Sequence, residues 1–177
     1  MGKKSTQIQP QERRTMTIIG IDPGAGGAVA VWDKGISKIH KCPKTTTVMA
    51  DVIKSAMNSE NIFAYVEQVH AFPHDGRSSI FKFGKNYGEW LGILGAYRIE
   101  TTLVSPQKWM KYWQTKLNIK LPKDKPERKR NLKEIASHYT DKKVTLYNAD
   151  AILITMYGLY VEQEGEINVS QRGKSKV

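Results

Sequence analysis

The sequence predicts an α/β domain, a mixed sheet with helices packed on it. Two observations lead there. The stretch "TIIGIDPGAGGAVAVW", residues 17–32, reads as strand, short turn and strand. After it, apolar runs of strand length alternate with segments of helical period.

The elements follow in order. Thr17, Ile18, Ile19 and Ile21 are β-branched, and "AVAVW" continues the strand pattern across a short turn, so the pair reads as an antiparallel hairpin. A third strand is expected over 36–42, after Gly35, and a helix over 47–58. "NIFAYVEQV", 61–69, is the fourth strand. Residues 78–98 carry the clearest helical period, with Ile80, Phe83, Tyr87, Leu91 and Leu94 on one stripe. Gly84, Gly88, Gly92 and Gly95 line up beside it. Each glycine costs a helix roughly 1 kcal/mol against alanine. Their alignment points to close approach of another backbone, either the chain's own sheet or a second copy.

A fifth strand is expected over 101–104, ending at Ser105-Pro106. Asp124, Pro126 and Glu127 mark a helix start, and Leu132, Ile135, Ala136 and Tyr139 give that helix an apolar side. The last helix is expected over 148–163. Residues 1–15 and 165–177 are polar, and both read as flexible tails around one body, 16–164.

At 177 residues the chain has the length of one ordinary domain. No apolar run approaches a membrane span, and no secretory signal is read at the N-terminus. The single cysteine, Cys42, has no internal partner for a disulfide, which fits a reducing, cytoplasmic setting. Charge is the informative quantity. Lys plus Arg number 28 against 17 Asp plus Glu, a net +11. Residues 108–133 alone hold ten Lys/Arg and only Asp124 and Glu127. Such a run is either a solvated face or a surface for a polyanion, of which nucleic acid is the commonest.

Three carboxylates stand at element ends: Asp22 closes the first strand, Glu67 closes the apolar run of the fourth, and Asp150 opens the last helix. Singly, each has an ordinary explanation: a turn cap for Asp22, a lysine partner for Glu67, a helix N-terminus for Asp150. Together they converge if the first and fourth strands are neighbours and the last helix crosses their ends. Converging carboxylates repel unless a cation joins them, and Mg²⁺ or Mn²⁺ suits such an oxygen site. Two such ions can serve phosphodiester hydrolysis. Gly24, Gly26 and Gly27 would then leave room for a backbone phosphate.

These segments resemble the RuvC-like Holliday junction resolvases of the RNase H-like superfamily, most closely the bacteriophage and plastid forms. "IIGIDPGAGGAVAV" resembles the first motif, with Asp22 as its acid, and "VEQVHAFP" the second, with Glu67. "SSIFKFGKNYGEWLGIL" resembles the glycine-rich helix of the phage forms. "SPQKWMKYW" and "KDKPERKRNLKEIA" resemble the next two blocks, and "NADAILITMYG" the last motif, with Asp150. The resemblance covers about residues 17–160.

It implies an RNase H-like mixed five-stranded sheet flanked by helices, and a homodimer that cuts four-way junctions with divalent metal and water, leaving 5′ phosphate and 3′ hydroxyl ends. Asp22, Glu67 and Asp150 would be catalytic and would hold two Mg²⁺ or Mn²⁺ ions. His70 and Phe72 would lie against the junction centre. Lys82, Lys85, Lys108, Lys111, Lys116, Lys120, Lys123, Lys125, Arg128, Lys129 and Arg130 would contact phosphates, which positions DNA without reading sequence. The sequence departs from the family at one place. A fourth acid or a histidine is usual shortly before the Asp150 position, and residues 144–149 read "VTLYNA". Asn148 there could offer a carbonyl oxygen or simply cap the helix. Two other readings stay open: a ribonuclease H-type nuclease or recombinase, and a junction-binding protein that does not cut.

Overall fold

The structure is a computed structural model that describes residues 16–68 and 76–174. Its order is β1 (Met16–Asp22), β2 (Ala28–Trp32), β3 (Ile36–Lys41), α1 (Thr46–Ala56), β4 (Asn61–Glu67), α2 (Arg77–Ala96), β5 (Glu100–Val104), α3 (Pro106–Leu117), α4 (Lys125–Ser137) and α5 (Ala149–Lys174). The strands form one five-stranded sheet in the order β3-β2-β1-β4-β5. β1, β2 and β3 pair antiparallel, as the short turns between them require, whereas β4 joins β1, and β5 joins β4, in parallel.

Both faces of the sheet are covered, so its central strands are apolar nearly throughout. Ile19, Ile21, Val29, Val31, Ala64 and Val66 point to one face and meet Met49, Val52 and Ile53 of α1 and Trp90 and Leu94 of α2. The other face belongs to α3, α4 and α5. Strand alternation puts Ile18, Ala28, Ala30 and Tyr65 on that side. Gly20 lies directly opposite Ala30 in the β1–β2 register, so the face under α5 is nearly smooth at this point.

The smoothness is required. A Cβ on Gly20 would stand 2.2 Å from the Thr155 hydroxyl oxygen and 2.6 Å from the Ala151 carbonyl oxygen. Thr155 is fully buried, and its hydroxyl lies 2.7 Å from the Ala151 carbonyl and 3.1 Å from the Ala30 carbonyl. The single hydroxyl proton thus lies between two carbonyls, one of the helix and one of the sheet. Farther along α5, Gly158 accepts the ring of Tyr65 where a Cβ would meet it at 2.4 Å.

Two elements differ from the sequence reading. α3 was not expected as a helix, although Ser105 accepts the Lys108 N–H and Pro106 occupies the first turn. α5 runs on to Lys174, through residues read as a tail. The stretch after 162 is rich in Glu and Gln and lacks proline, so helix propensity carries it where an apolar period does not. The start of α4 is as expected, with Asp124 Oδ2 accepting the Glu127 N–H at 3.0 Å. The glycines of α2 do not pack on the chain's own sheet: a Cβ at Gly84, Gly88, Gly92 or Gly95 would meet nothing within 4 Å.

Gly20→Ala is expected to destabilise the chain by about 1–3 kcal/mol, the usual cost of overpacking, because backbone of α5 has to move away from β1. Chemical denaturation of the purified variant measures this. A loss near zero would show that α5 is not seated on the sheet at Gly20.

Candidate active site

Parallel pairing of β1 and β4 sets their C-terminal ends side by side on one edge, with Ile21 opposite Val66. Asp22 and Glu67 are the next residues, so both carboxylates leave the sheet at the same edge. α5 starts over this edge and brings Asp150 in its first turn. Glu67 is 9% exposed and Asp150 6%, a degree of burial that an unpartnered charge does not tolerate.

The turn after Asp22 is built by glycines with different tasks. The Gly27 N–H donates to the Gly24 carbonyl at 3.0 Å and closes the turn. Gly24 has φ +106°, a region that side-chain-bearing residues rarely adopt. A Cβ on Gly27 would collide with the Asp22 carbonyl oxygen at 1.9 Å, so this glycine lets the turn fold back on the acid. Only Gly26 faces open space. The expectation that all three leave room for a phosphate is thus corrected: two of them serve the turn itself.

Each acid has its own surroundings. Trp109 of α3 donates from its indole nitrogen to Glu67 Oε1 at 3.0 Å, a buried hydrogen bond. Lys129 of α4 forms an ion pair with Asp150 Oδ2. Asp150 Oδ1 is buried with no hydrogen-bond partner among the described residues. Burial, then the charges of Glu67 and Asp150, push the Asp22 carboxyl well above the usual carboxylate range, against a smaller pull from Lys129. Burial raises Glu67 as well; the Trp109 hydrogen bond opposes it, Asp150 adds to it, and Lys129 opposes it. For the Lys129 ammonium, burial works downward, but Asp150, then Asp22 and Glu67, outweigh it and raise its pKa. The three acids and Lys129 are therefore one coupled cluster.

Whether the cluster suits a cation can be judged from its own atoms. An orphaned carboxylate oxygen and mutual repulsion among three acids both favour one, and Asp22, Glu67 and Asp150 would hold it. Among the described residues, no three acid, histidine or cysteine side chains already stand close enough to form a ready-made metal site. Asn148 does not supply the fourth ligand. Its Oδ1 accepts the Thr145 N–H at 2.7 Å and its Nδ2 donates to the Lys143 carbonyl at 3.1 Å. The residue is spent on the turn before α5.

Trp109 and Lys129 were not recognised as companions of the acids from sequence. Trp109 lay in the block "SPQKWMKYW" without a role, and Lys129 was grouped with the phosphate-binding lysines. Of that group, Lys82, Lys108, Lys111, Lys120, Lys123, Lys125 and Arg130 are exposed and make no ion pair among the described residues. Lys85 lies 3.8 Å from Glu89. Lys116 sits 3.8 Å above the Tyr160 ring. Arg128 donates to the Pro122 and Lys123 carbonyls and stabilises the loop before α4. His70 and Phe72 lie outside the described residues.

Solved structures with the same architecture include Thermus thermophilus RuvC in complex with Holliday junction substrate, 14% identical, with a TM-score of 0.57 over 85% of this chain and 96% of that one. A second Thermus thermophilus RuvC structure gives 17% identity and a TM-score of 0.56 over 85% and 97%. The chain has the RNase H-like fold of RuvC. The yeast mitochondrial Holliday junction resolvase Ydc2 is more distant, at 12% identity and a TM-score of 0.44 over 81% and 76%. No protein-family model and no curated protein matches the chain.

The raised acids give a pH dependence with a definite sign. Asp22 and Glu67 keep their protons to higher pH when folded than when unfolded. Stability therefore falls as pH rises from the ordinary carboxylate range through their folded-state values, and nothing is lost below that range. The raised Lys129 contributes stability that is lost only on the alkaline side. In EDTA at neutral pH, Asp22→Asn is expected to melt above wild type, with the gap closing toward pH ~4, where an ordinary aspartate titrates. A wild type that melts at or above the variant at neutral pH would show that Asp22 is not crowded.

Proposed function

We propose that the chain is a structure-selective DNA endonuclease that resolves four-way junctions and other branched DNA by divalent-metal-dependent phosphodiester hydrolysis. One observation carries the reading: Asp22, Glu67 and Asp150 stand at the C-terminal edge of the central parallel strands, near enough for Glu67 and Asp150 to raise the Asp22 carboxyl, in a fold shared with RuvC, which has been solved on Holliday junction substrate. Asp22, Glu67 and Asp150 are its catalytic residues and its metal ligands. Mg²⁺ or Mn²⁺, two ions per site, would supply an activated water and neutralise charge on the phosphate. The protein's own contribution is placement. Trp109 fixes one Glu67 oxygen, α5 holds Asp150 over the strand ends, and Lys129 offsets the repulsion among the acids in the metal-free state.

The exposed lysines of α3, α4 and the loop between them supply phosphate contacts. No described helix is long and apolar enough to cross a membrane. A cytoplasmic site of action fits the free thiol of Cys42. We further propose a homodimer through α2. Its glycine face is open along Gly84, Gly88, Gly92 and Gly95, and Phe81 at the same end is 73% exposed. Two-fold pairing would present two sites to a junction of matching symmetry.

A second reading has an observation of its own. With Asn148 committed to its turn and Lys129 paired to Asp150, the chain could bind junctions without cutting them. A labelled four-way junction incubated with the protein and Mn²⁺ separates the two, since mapped cuts support the first and tight binding without cuts the second. Asp22→Asn is expected to abolish cutting and leave junction binding largely intact; cutting at the wild-type rate would sink the metal-site assignment.

Two further outcomes concern binding and assembly. Neutralising Lys123, Lys125 and Arg130 together should weaken junction binding and reduce the slope of log affinity against log salt by about 0.9 per lost phosphate contact. An unchanged salt titration would mark them as a solvated face. In analytical ultracentrifugation the wild type should sediment as a dimer, and Gly88→Leu with Gly92→Leu as a folded monomer. A wild type that stays monomeric both free and on junction DNA would rule out the dimer.

A further inference from the structure

Beside the acid cluster lies a cleft of about 840 Å³ that the catalytic proposal does not use. Its walls come from three separate parts of the chain: the turn after Asp22, the segment from Lys41 to Lys44 at the end of β3, and the first half of α2. Its volume falls within the roughly 300–1,000 Å³ typical of pockets that enclose small ligands.

The cleft is held open by its own hydrogen bonds. Asn86 of α2 accepts the Gly24 N–H at 2.9 Å with Oδ1, and the same oxygen lies 3.6 Å from the Cys42 sulfur. The Cys42 N–H donates to the Gly27 carbonyl at 3.0 Å. One side chain thus joins all three walls. The wall at Gly24 is two residues from Asp22, so an occupant of the cleft is a neighbour of the acids.

Its chemistry has two parts. Lys41, Lys44 and Lys82 line it, and among the described residues no carboxylate does. Phe83 and Tyr87 also line it, and neither ring pairs with another aromatic ring among the described residues. The Phe83 ring reaches to 3.1 Å from the point where a Gly24 Cβ would stand, so the φ-positive glycine also makes room for the ring. Aromatic faces between basic side chains form the platform that single-stranded nucleic acid uses: bases stack and phosphates meet lysine.

We propose that this cleft holds an unpaired nucleotide of the DNA strand, its base against Phe83 and Tyr87 and its phosphates on Lys41, Lys44 and Lys82. The proposal deepens the nuclease reading and relies on it for the identity of the polymer. It supplies a physical source for selectivity. A paired base must be unstacked at a cost of a few kcal/mol to enter such a site, and a base at a branch point is already partly free. Branched DNA would then be chosen by what can leave its helix next to Asp22.

The test uses metal-free protein in EDTA, so that cutting plays no part. The probes are a short single-stranded oligothymidylate with a central 2-aminopurine and the same strand with an abasic site at that position. Wild type is expected to quench the 2-aminopurine and to bind it about five- to 150-fold more tightly than the abasic strand, the range that loss of a stacking partner spans. Phe83→Leu keeps the apolar volume without the aromatic face, and should lose the quenching and the preference while retaining its melting temperature. Lys44→Ala should weaken both strands alike and flatten the salt dependence. Equal affinity of wild type for the two strands overturns the proposal, as does a base preference that survives Phe83→Leu. A protein that shows the preference but never cuts a junction leaves this site standing and removes the nuclease reading; a protein that cuts without the preference does the reverse.

Discussion

The close approach of α5 to β1 at Gly20 governs the rest of the molecule. Helix backbone lies where a Cβ would otherwise be, and Thr155 spends its hydroxyl on carbonyls of both layers. This contact brings the first turn of α5 over the ends of β1 and β4. A helix seated one side chain farther away would leave Asp150 out of register with Asp22 and Glu67. The smooth patch of Gly20, Ala28 and Ala30 is therefore a positioning device for a site at the edge of the sheet. α3 reinforces it from outside, with the Trp113 indole donating to the Leu153 carbonyl at 3.2 Å.

The acid cluster is held together against its own electrostatics. Burial and repulsion both favour protonated Asp22, and among the described residues the compensation is partial: one indole N–H to Glu67 and one ammonium to Asp150. Lys129 reaches the acids from α4, whose buried Leu132, Ile135 and Ala136 fix the helix and so fix the start of the lysine. Protein stability is spent on keeping these acids close together.

What could be read from the sequence follows a physical rule. The hairpin, the apolar fourth strand and the acids at their ends are local patterns, and strand periodicity displays them directly. Pairing of β1 with β4 entered only as the condition under which the acids converge, since no local pattern shows which strands are neighbours. α3 was missed because "SPQKWMKYW" reads as a stop at Ser105-Pro106 followed by charge, although a serine cap and a proline in the first turn also open helices. The glycine alignment in α2 was visible, but which side it faced was not, since helical period orders residues around an axis without saying what lies beyond. Lys129 looked like its neighbours in a basic run. Only tertiary packing separates a lysine that turns inward from those that turn to water. The cleft was invisible for the same reason, since its walls are three distant segments joined by one asparagine.

α5 is the last described element in the chain and β1 the first, yet they pack backbone against backbone at Gly20. During synthesis the sheet emerges well before its cover. The Gly20, Ala28 and Ala30 face stays bare, and the third acid is absent, until α5 has left the ribosome and docked. A nascent or truncated chain that stops short of α5 can have Asp22 and Glu67 side by side and still lack Asp150. The third acid therefore joins the other two only once α5 has been made and has docked.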